Sequence, residues 1–156
     1  REEAIILDAI GTLEDEGYAS DIVVSLGVHN PLRTPSEVQK AVDTLLLYDV
    51  DLVLSVHENH HLYYVHGERG LEALNPAMHR RVRVEREGLF EGNGAVRVYW
   101  RDTLDEPEAY CPKVGHIVVP PSDGFQIKSP HDAWLAEQLL YARNEGRSLR
   151  PESWQN

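Results

Sequence analysis

Two short runs of apolar residues, each following a helical pattern, constrain the fold of this chain most strongly. The first is contiguous at Ile22, Val23 and Val24, and the second is DLVLSVH, residues 51–57. Such runs are typical of strands covered on both faces, and strands that alternate with helices at this spacing form parallel sheets. We therefore predict an α/β fold: a layered, mainly parallel sheet with flanking helices and a right-handed crossover between these two strands.

Three helices are predicted from apolar periodicity and from the residues that begin them. Residues 2–16 carry an apolar stripe. Residues 34–37 and 129–132 each combine a capping hydroxyl, a proline at the first helical position and an acidic residue three positions after the cap. These two helices are expected to run to about Tyr48 and Asn144. The side chains predicted to face inward are Ile5, Ile6, Ala9, Ile10, Leu13, Val38, Ala41, Val42, Leu45, Leu46, Trp134, Leu135, Leu139 and Leu140.

From residue 57 the alternation of helix and strand stops, and residues 57–70 (HENHHLYYVHGERG) are predicted to form a hairpin arm. Residues 62–65 (LYYV) form one strand of it, followed by a turn near Gly67. Residues 79–87 (HRRVRVERE) alternate charge and valine, which predicts a strand with one solvated or partner-facing side. Further strands are predicted at residues 95–100 and 115–119.

Length and composition limit the domain count, the partners and the compartment. The 156 residues suffice for one domain, predicted at residues 1–145, with a C-terminal tail at 146–156. The net charge of −11 argues against nucleic acid and anionic membranes as partners. A single cysteine, Cys111, and the lack of a signal peptide or a long apolar run predict a cytoplasmic protein. Because the chain starts at Arg1 and not at Met, we expect it to be part of a longer or processed polypeptide.

The loop after the first predicted strand, GVHNPLR, is the first candidate binding site. It lies at the carboxyl end of a strand and just before a helix N-terminus, a position that favours anionic ligands. His29, Asn30 and Arg33 supply polar and cationic groups there. The alternative is structural: His29 and Asn30 shape the turn, and Arg33 pairs with a carboxylate.

A histidine cluster at His57, His60 and His61, with Glu58 adjacent, is a second candidate site. Zinc favours such ligands, but the H-x-x-H-H spacing is not specific to zinc. The alternative is a polar arm surface whose charge changes below about pH 6.5.

Four segments stand in a recognisable order along the chain. They are NPLRTPSEVQKAVDTLLLYDVDLVLSV at residues 30–56, Arg83, NGAVRVYW at residues 93–100 and FQIKSPHDAWLAEQLL at residues 125–140. They resemble four segments of the acylneuraminate cytidylyltransferases, in the same order. These are the S-P-L-R-T segment with its following helix and strand, an arginine upstream of the N-G-A/S segment, the N-G-A/S segment itself, and the D-I-D-x-x-x-D-x-x-x-A-E region. That family activates sialic acids and Kdo-type sugars with CTP.

This resemblance implies a nucleotide-diphospho-sugar transferase-like fold and transfer of a cytidylyl group from CTP to an acidic sugar, either a nonulosonic acid or Kdo. It also implies Mg²⁺ as a cofactor and a homodimer formed through a projecting β-hairpin arm, residues 57–92. No catalytic residue is assigned. Together with the loop above, the candidate substrate-binding residues are His29, Asn30, Arg33, Arg83, Asn93, Gly94 and Lys128.

Three features depart from the family pattern. The basic, glycine-containing nucleotide loop is absent from the sequence. Gln126 and Lys128 stand in place of the D-I-D aspartates, and Gly27 and His29 stand where the family usually carries Gln and Thr. An amide and a cation are poor Mg²⁺ ligands, although Lys128 could contact phosphate directly. Two functions therefore stay open: nucleotidyl transfer with altered or lost catalysis, and a non-catalytic homologue that binds a ligand or serves as a dimerising partner.

Overall fold

The computed structural model describes residues 2–105 and 113–146, except the side chains of residues 2, 3, 78, 79 and 84. The helices are α1 (Glu2–Asp15), α2 (Pro35–Leu47) and α3 (Pro130–Asn144). The strands are β1 (Ile22–Leu26), β2 (Leu52–Asn59), β3 (Tyr64–Gly67), β4 (Gly70–Ala73), β5 (Leu89–Trp100) and β6 (Val114–Val118). Short 3-10 helices span Pro76–Arg80, Arg83–Glu85 and Arg101–Leu104. Cys111 and the predicted tail beyond residue 146 lie outside the described residues.

The central sheet has four strands in the order β1–β5–β2–β6. β2 and β6 are parallel, and β5 is antiparallel to both β1 and β2, so β1, β2 and β6 share one direction. The predicted α/β fold with its mainly parallel sheet and flanking helices is confirmed. β1 and β2 are not neighbours, however, because β5 lies between them. This places β1 at the edge of the sheet, where Val24 is 38% exposed and not covered on both faces as predicted.

Different helices cover the two faces of the sheet. Successive side chains of a strand point to opposite faces, so Val98 and Tyr99 of β5 belong to different cores. One core contains Ala41, Leu45, Val53, Ala95, Val96, Val98, Ile117 and Val119, and α2 supplies its helical members. The other contains Ile10, Tyr99 and Leu104, and α1 supplies its helical member.

Both capped helices begin where the sequence predicts. In α2, the Thr34 backbone N–H donates to the Glu37 carboxylate at 2.8 Å. In α3, the Ser129 hydroxyl oxygen accepts from the Asp132 backbone N–H at 3.3 Å. These bonds satisfy N–H groups that a helix N-terminus leaves without partners, so the local sequence is sufficient to set both starts.

Five side chains predicted to face inward are exposed instead: Ile5, Ala9, Leu13, Leu46 and Trp134. α1 packs on the sheet through Ile6, Leu7 and Ile10, a narrower contact than its whole apolar stripe. Trp134 is 56% exposed and stacks with the ring of His131 at 6.0 Å. Periodicity identifies an apolar stripe, but the neighbouring elements decide how much of it is covered.

The arm contains the predicted hairpin but not the predicted second strand. β3 and β4 pair antiparallel in a separate two-stranded sheet, with the turn after Gly67. Residues 79–87 form no strand; they contribute to two 3-10 helices, so the predicted strand with one solvated or partner-facing side does not exist. No neighbouring strand pairs with this segment among the described residues, and Val82 is 61% exposed. Alternation alone cannot make a strand without a partner and a buried face.

Within residues 2–105 and 113–146, no helix combines the length and the apolar character that crossing a lipid bilayer requires.

Candidate functional site

Two loops and a bulge meet at the carboxyl end of the sheet. The first loop, residues 27–34, follows β1, and the second, residues 119–129, follows β6. Because β1, β2 and β6 run in the same direction, both loops leave the sheet at the edge where α/β proteins bind ligands. The bulge is in β5, which lies between β1 and β2. This edge is the candidate site.

The bulge is visible in the pairing of β5 with β2. The register shifts between Leu54 and Val56, so that four residues of β5, residues 93–96, lie opposite Ser55 alone. Bulges of this kind interrupt the ladder, bend the strand and are over-represented next to active sites. The NGA segment singled out by the family resemblance is therefore a break in the strand.

The side chains of Asn93 and Ser55 replace the lost ladder bonds. The Ser55 hydroxyl donates to Asn93 Oδ1 at 2.6 Å and accepts from the Val96 backbone N–H at 2.8 Å. Asn93 Oδ1 also accepts from the Ala95 N–H at 3.0 Å. Gly94 has a φ of +69°, a conformation that favours glycine. Asn followed by Gly thus builds the bulge through a side-chain acceptor and a permissive backbone.

Asn30 fastens the first loop to the bulge and to the second loop. Its Nδ2 lies 3.2 Å from the carbonyl oxygen of Asn93, 3.1 Å from that of Gly124 and 3.3 Å from that of Phe125. Asn30 is 1% exposed, and its Oδ1 has no hydrogen-bond partner in the part of the chain that the structure describes. The side chain predicted to bind substrate therefore holds the site together.

Like Asn30, Arg33 joins the first loop to the bulge. One terminal nitrogen, Nη1, donates to the carbonyl oxygens of Gly27 at 3.0 Å and Ala95 at 2.9 Å. These partners are backbone carbonyls and not the carboxylate that the structural alternative expected. A Cβ at Gly27 would lie 2.2 Å from the Gly94 carbonyl oxygen, so only glycine permits this close approach of the two segments.

His29 and Lys128 lie at the rim of the same edge. Both side chains are exposed, and the His29 carbonyl accepts from the Ile127 N–H at 2.9 Å, which joins the two loops. On the second loop, Gln126 Nε2 lies 3.6 Å from the position that a Cβ would take at Gly94. The rim therefore presents an amide and a cation beside the bulge.

The carboxylates near this rim are already engaged. Asp123 accepts from Arg143 Nη2 at 2.6 Å and from the Ser122 hydroxyl at 3.1 Å. Asp132 accepts from the Ser129 hydroxyl and from the Lys128 N–H, and these bonds hold the pKa of its carboxyl group below the ordinary value. Both groups serve the second loop and the start of α3.

Because the carboxylates of Asp123 and Asp132 are engaged, they bear on whether this site can hold Mg²⁺. At nucleotide sites Mg²⁺ is held by one or two carboxylates together with phosphates and water. Over residues 2–105 and 113–146, no group of three His, Cys, Asp or Glu side chains is placed to hold a metal ion. Gln126 and Lys128 supply no carboxylate either. The residues of this site do not fit the Mg²⁺ that the family resemblance implies.

The histidine cluster separates in the folded chain. His57 Nδ1 lies 2.9 Å from the Val119 carbonyl oxygen, at the start of the second loop. His60 Nδ1 lies 3.0 Å from the Arg86 carbonyl oxygen in the arm, and the His61 N–H donates to the Asn59 side chain. His57 therefore belongs to the candidate site, and His60 to the arm.

Arg83 is not brought to the loops. It lies in the 3-10 helix Arg83–Glu85 with an exposed side chain. No hydrogen bond or ion pair within the described ranges joins that side chain to the two loops or to the bulge. Of the predicted substrate-binding residues, the structure thus gathers His29, Asn30, Arg33, Asn93, Gly94 and Lys128, and leaves Arg83 in the arm. Their binding role stays a prediction.

A groove on the sheet surface adjoins the bulge. It has a volume of about 270 Å³. Its lining residues are Leu52, Leu54, Ser55, Gly92, Gly94, Arg97, Tyr99 and Val114. This volume is slightly below the range of about 300–1,000 Å³ typical of small-molecule pockets. The groove offers mostly apolar space next to the polar bulge.

Sequence reasoning missed two residues of the site, Ser55 and Gly124, and assigned His57 to a different candidate site. Ser55 is 1% exposed, and a serine between Leu54 and Val56 in an otherwise apolar strand segment was the signal for a side-chain network. His57 was grouped with its sequence neighbours. Gly124 packs against Asn93 and His57, and nothing in its local sequence indicates that contact.

The fold has a similar solved structure, the crystal structure of 4-diphosphocytidyl-2C-methyl-D-erythritol synthase from Anaerococcus prevotii DSM 20548. The TM-score is 0.57 at 12% sequence identity, over 83% of this chain. At this identity the likeness shows the fold alone. The match covers 64% of that protein, so this chain spans less than two thirds of its length. No protein-family model matches the chain, and no curated protein matches it.

Proposed function

We propose that this chain is a cytidylyltransferase-like domain that binds CTP and an acidic sugar, a nonulosonic acid or Kdo, at the carboxyl edge of its sheet. The observation that supports the proposal most is the meeting of the resembling segments there. Asn30 Nδ2 contacts backbone oxygens of Asn93, Gly124 and Phe125, which are far apart in the sequence. Segments scattered along a chain that converge on a strand bulge are typical of a ligand site.

The proposed reaction is nucleotidyl transfer. A sugar hydroxyl attacks the α-phosphorus of CTP and loses its proton to water, the bond from the α-phosphorus to the bridging oxygen of the β-phosphate breaks, and pyrophosphate leaves with that oxygen. In this proposal the Lys128 and His29 side chains contact the phosphates; both are exposed at the rim, which supports the assignment. No step is assigned to Mg²⁺, because the carboxylates of Asp123 and Asp132 are engaged elsewhere.

The arm is proposed to form a homodimer contact. The support is the family resemblance together with exposed apolar side chains on the hairpin, at Val65 (47%), Leu71 (74%) and Leu74 (54%). Light scattering coupled to size exclusion should give twice the mass of one chain. A Leu71→Glu variant should then elute as a monomer, and a monomeric wild type would contradict the proposed contact.

A second function is favoured by a specific observation. The site offers Gln126 and Lys128 where the family carries aspartates, and the described residues supply no metal-binding group. A non-catalytic homologue that binds a nucleotide or sugar, or serves as a dimerising partner of another polypeptide, would have this composition. Binding without turnover is its signature.

Calorimetry and phosphorus NMR together test these proposals. The purified chain is titrated with CTP, and ³¹P spectra then follow CTP incubated with N-acetylneuraminic acid or Kdo, each in Mg²⁺ and in EDTA. CTP binding with release of pyrophosphate supports the transferase, and binding without release supports the non-catalytic homologue. No binding of CTP in either condition contradicts a nucleotide site in this chain.

A matched pair of variants tests the position of the phosphates. Lys128→Gln should weaken CTP binding by about threefold to tenfold, because a charge-assisted hydrogen bond at an exposed rim is lost. Lys40→Gln, an exposed lysine of α2, serves as the control and should leave affinity unchanged. Equal effects of the two substitutions would show that Lys128 contributes only net charge.

A further inference from the structure

A second cavity lies at the base of the arm. β2 and β5 run on past the rest of the sheet there, because β6 pairs with β2 no further than Val56 and β1 pairs with β5 no further than Val96. The pairs beyond these points, such as Glu58 with Phe90, form a two-stranded extension. The cavity beside this extension has a volume of about 380 Å³, within the range of about 300–1,000 Å³ typical of small-molecule pockets.

Two parts of the chain build the walls of this cavity. Leu89, Phe90 and Glu91 come from β5, and Tyr63 and Leu74 flank the β3–β4 hairpin. The Leu74 N–H donates to the Tyr63 carbonyl at 2.8 Å, which continues the hairpin pairing and holds these two residues side by side. The walls therefore contain two aromatic rings, two leucine side chains and one carboxylate.

The charge of this lining is negative. Among the described residues that line the cavity, Glu91 is the only charged one, and its side chain has neither a hydrogen bond nor an ion pair within the described ranges. Arg86 and Glu87 line a neighbouring narrow cleft, where their charges oppose each other. The Arg86 guanidinium donates there to the carbonyls of His60 at 3.3 Å and Arg81 at 3.1 Å. The cavity itself therefore favours a cation.

The aromatic rings favour a cation as well. Phe90 is 54% exposed, and its ring centroid lies 4.7 Å from that of His116. The faces of Phe and Tyr rings carry negative electrostatic potential and attract a ligand cation within about 6 Å. Leu74 and Leu89 add apolar surface, which suits the hydrocarbon part of a ligand. A cation that carries apolar groups therefore matches this lining.

Hydrogen bonding decides which kind of cation fits. A primary ammonium is strongly hydrated and has three N–H donors to satisfy. Of the described side chains in the lining, only those of Glu91 and Tyr63 can accept a hydrogen bond. A quaternary ammonium has no N–H donor and presents methyl groups to the walls, so its entry into the cavity leaves no donor without a partner.

We propose that this cavity binds a small quaternary ammonium compound. The methyl groups lie against the rings of Phe90 and Tyr63, and the positive charge lies near the carboxylate of Glu91. The site is separate from the proposed nucleotide site, and its occupation does not require CTP.

Three related probes test the charge of the ligand, each followed by amide ¹H–¹⁵N spectra of the wild-type chain. Choline is the quaternary ammonium, 3,3-dimethylbutan-1-ol is its uncharged isostere, and ethanolamine is the primary amine. Choline should give saturable shifts at residues 63, 74 and 89–91, with an affinity about threefold to tenfold above both other probes. Binding of the alcohol or of ethanolamine as tight as that of choline would overturn the proposal.

The choline titration is repeated on the Leu71→Glu chain, which is expected to be monomeric. A dimer contact through the hairpin then cannot cover the cavity. Saturable binding of choline to either chain at the residues named above supports the site. The lack of such binding in both chains would overturn it.

Two substitutions separate the carboxylate from the ring. Glu91→Gln keeps the size of the side chain and removes its charge, so choline affinity should fall about threefold to tenfold. Phe90→Leu keeps an apolar wall but removes the ring, so it should weaken choline by a similar factor and leave the affinity for the neutral alcohol unchanged. Equal weakening of both probes by Phe90→Leu would show lost packing alone and contradict the role of the ring.

Glu68→Gln is the matched control for Glu91→Gln. Glu68 is an exposed carboxylate in the turn between β3 and β4, and it does not line the cavity. This substitution changes the net charge by the same amount and should leave choline affinity unchanged. An equal loss in both variants would show that choline responds only to the net charge of the chain, and would overturn the assignment to Glu91.

Discussion

Replacing Ser55 by alanine should destabilise the chain through the bulge of β5. The hydroxyl makes two hydrogen bonds, to Asn93 Oδ1 and from the Val96 N–H. A typical internal hydrogen bond contributes about 1 kcal/mol net, and a buried donor left without a partner costs about 1–3 kcal/mol. Val96 is fully buried, so its N–H finds no water in exchange. Asn93 Oδ1 keeps the Ala95 N–H as a partner. We therefore expect a loss of about 2–3 kcal/mol in the free energy of unfolding.

Urea unfolding followed by circular dichroism measures this loss, with Ser25→Ala as the control. Ser25 is a strand serine of β1, and its side chain makes no hydrogen bond to any residue that the structure describes. The control should change stability by no more than about 0.5 kcal/mol. In a thermal scan, Ser55→Ala should lower the midpoint by roughly 4–12 °C for a domain of this length. Equal stability of the two variants would refute the claim that the hydrogen bonds of the Ser55 hydroxyl stabilise the bulge.

Three further outcomes are expected. Gly27→Ala should destabilise the chain because its Cβ would meet the Gly94 carbonyl oxygen at 2.2 Å. Gly11→Ala in α1, where the added Cβ has open space, should stabilise the chain by about 0.5–1 kcal/mol. Urea titration measures the free energy of unfolding of both variants. The pKa of the Asp132 carboxyl group is lowered, first by the hydrogen bond from the Ser129 hydroxyl, so the ionised group should stabilise the fold fully above about pH 4. This stabilisation should be lost as the pH falls through the folded-state pKa of Asp132. Asp132→Asn should remove this pH dependence from acid-unfolding curves. CTP affinity measured by calorimetry should be no higher in Mg²⁺ than in EDTA, and a marked gain in Mg²⁺ would contradict the misfit of the metal.

Local signals predicted the helices of this fold well. The starts of α2 and α3 depend on groups within a few residues of each other, such as Thr34 with Glu37 and Ser129 with Asp132. Such contacts can be read directly from sequence spacing. The position of β5 between β1 and β2 depends on pairings between residues 30 or more positions apart, and no local pattern encodes them.

In the candidate site too, local features were predicted from the sequence and long-range contacts were not. The loop at residues 27–34 and the NGA segment were found through sequence and resemblance, but the role of Asn30 was not. Its amide lies among three backbone oxygens that only the folded chain assembles. The strand predicted at residues 79–87 failed for a related reason, since its alternating valines have no partner strand among the described residues.

Mapping CTP binding by amide ¹H–¹⁵N spectra tests the central claim most directly. We predict saturable shifts confined to residues 27–34, 93–96 and 119–129, the two loops and the bulge, with the hairpin amides of β3 and β4 unchanged. Shifts confined to the hairpin, or no saturable shift at CTP concentrations that saturate nucleotide-binding domains, would contradict a nucleotide site at the carboxyl edge of this sheet.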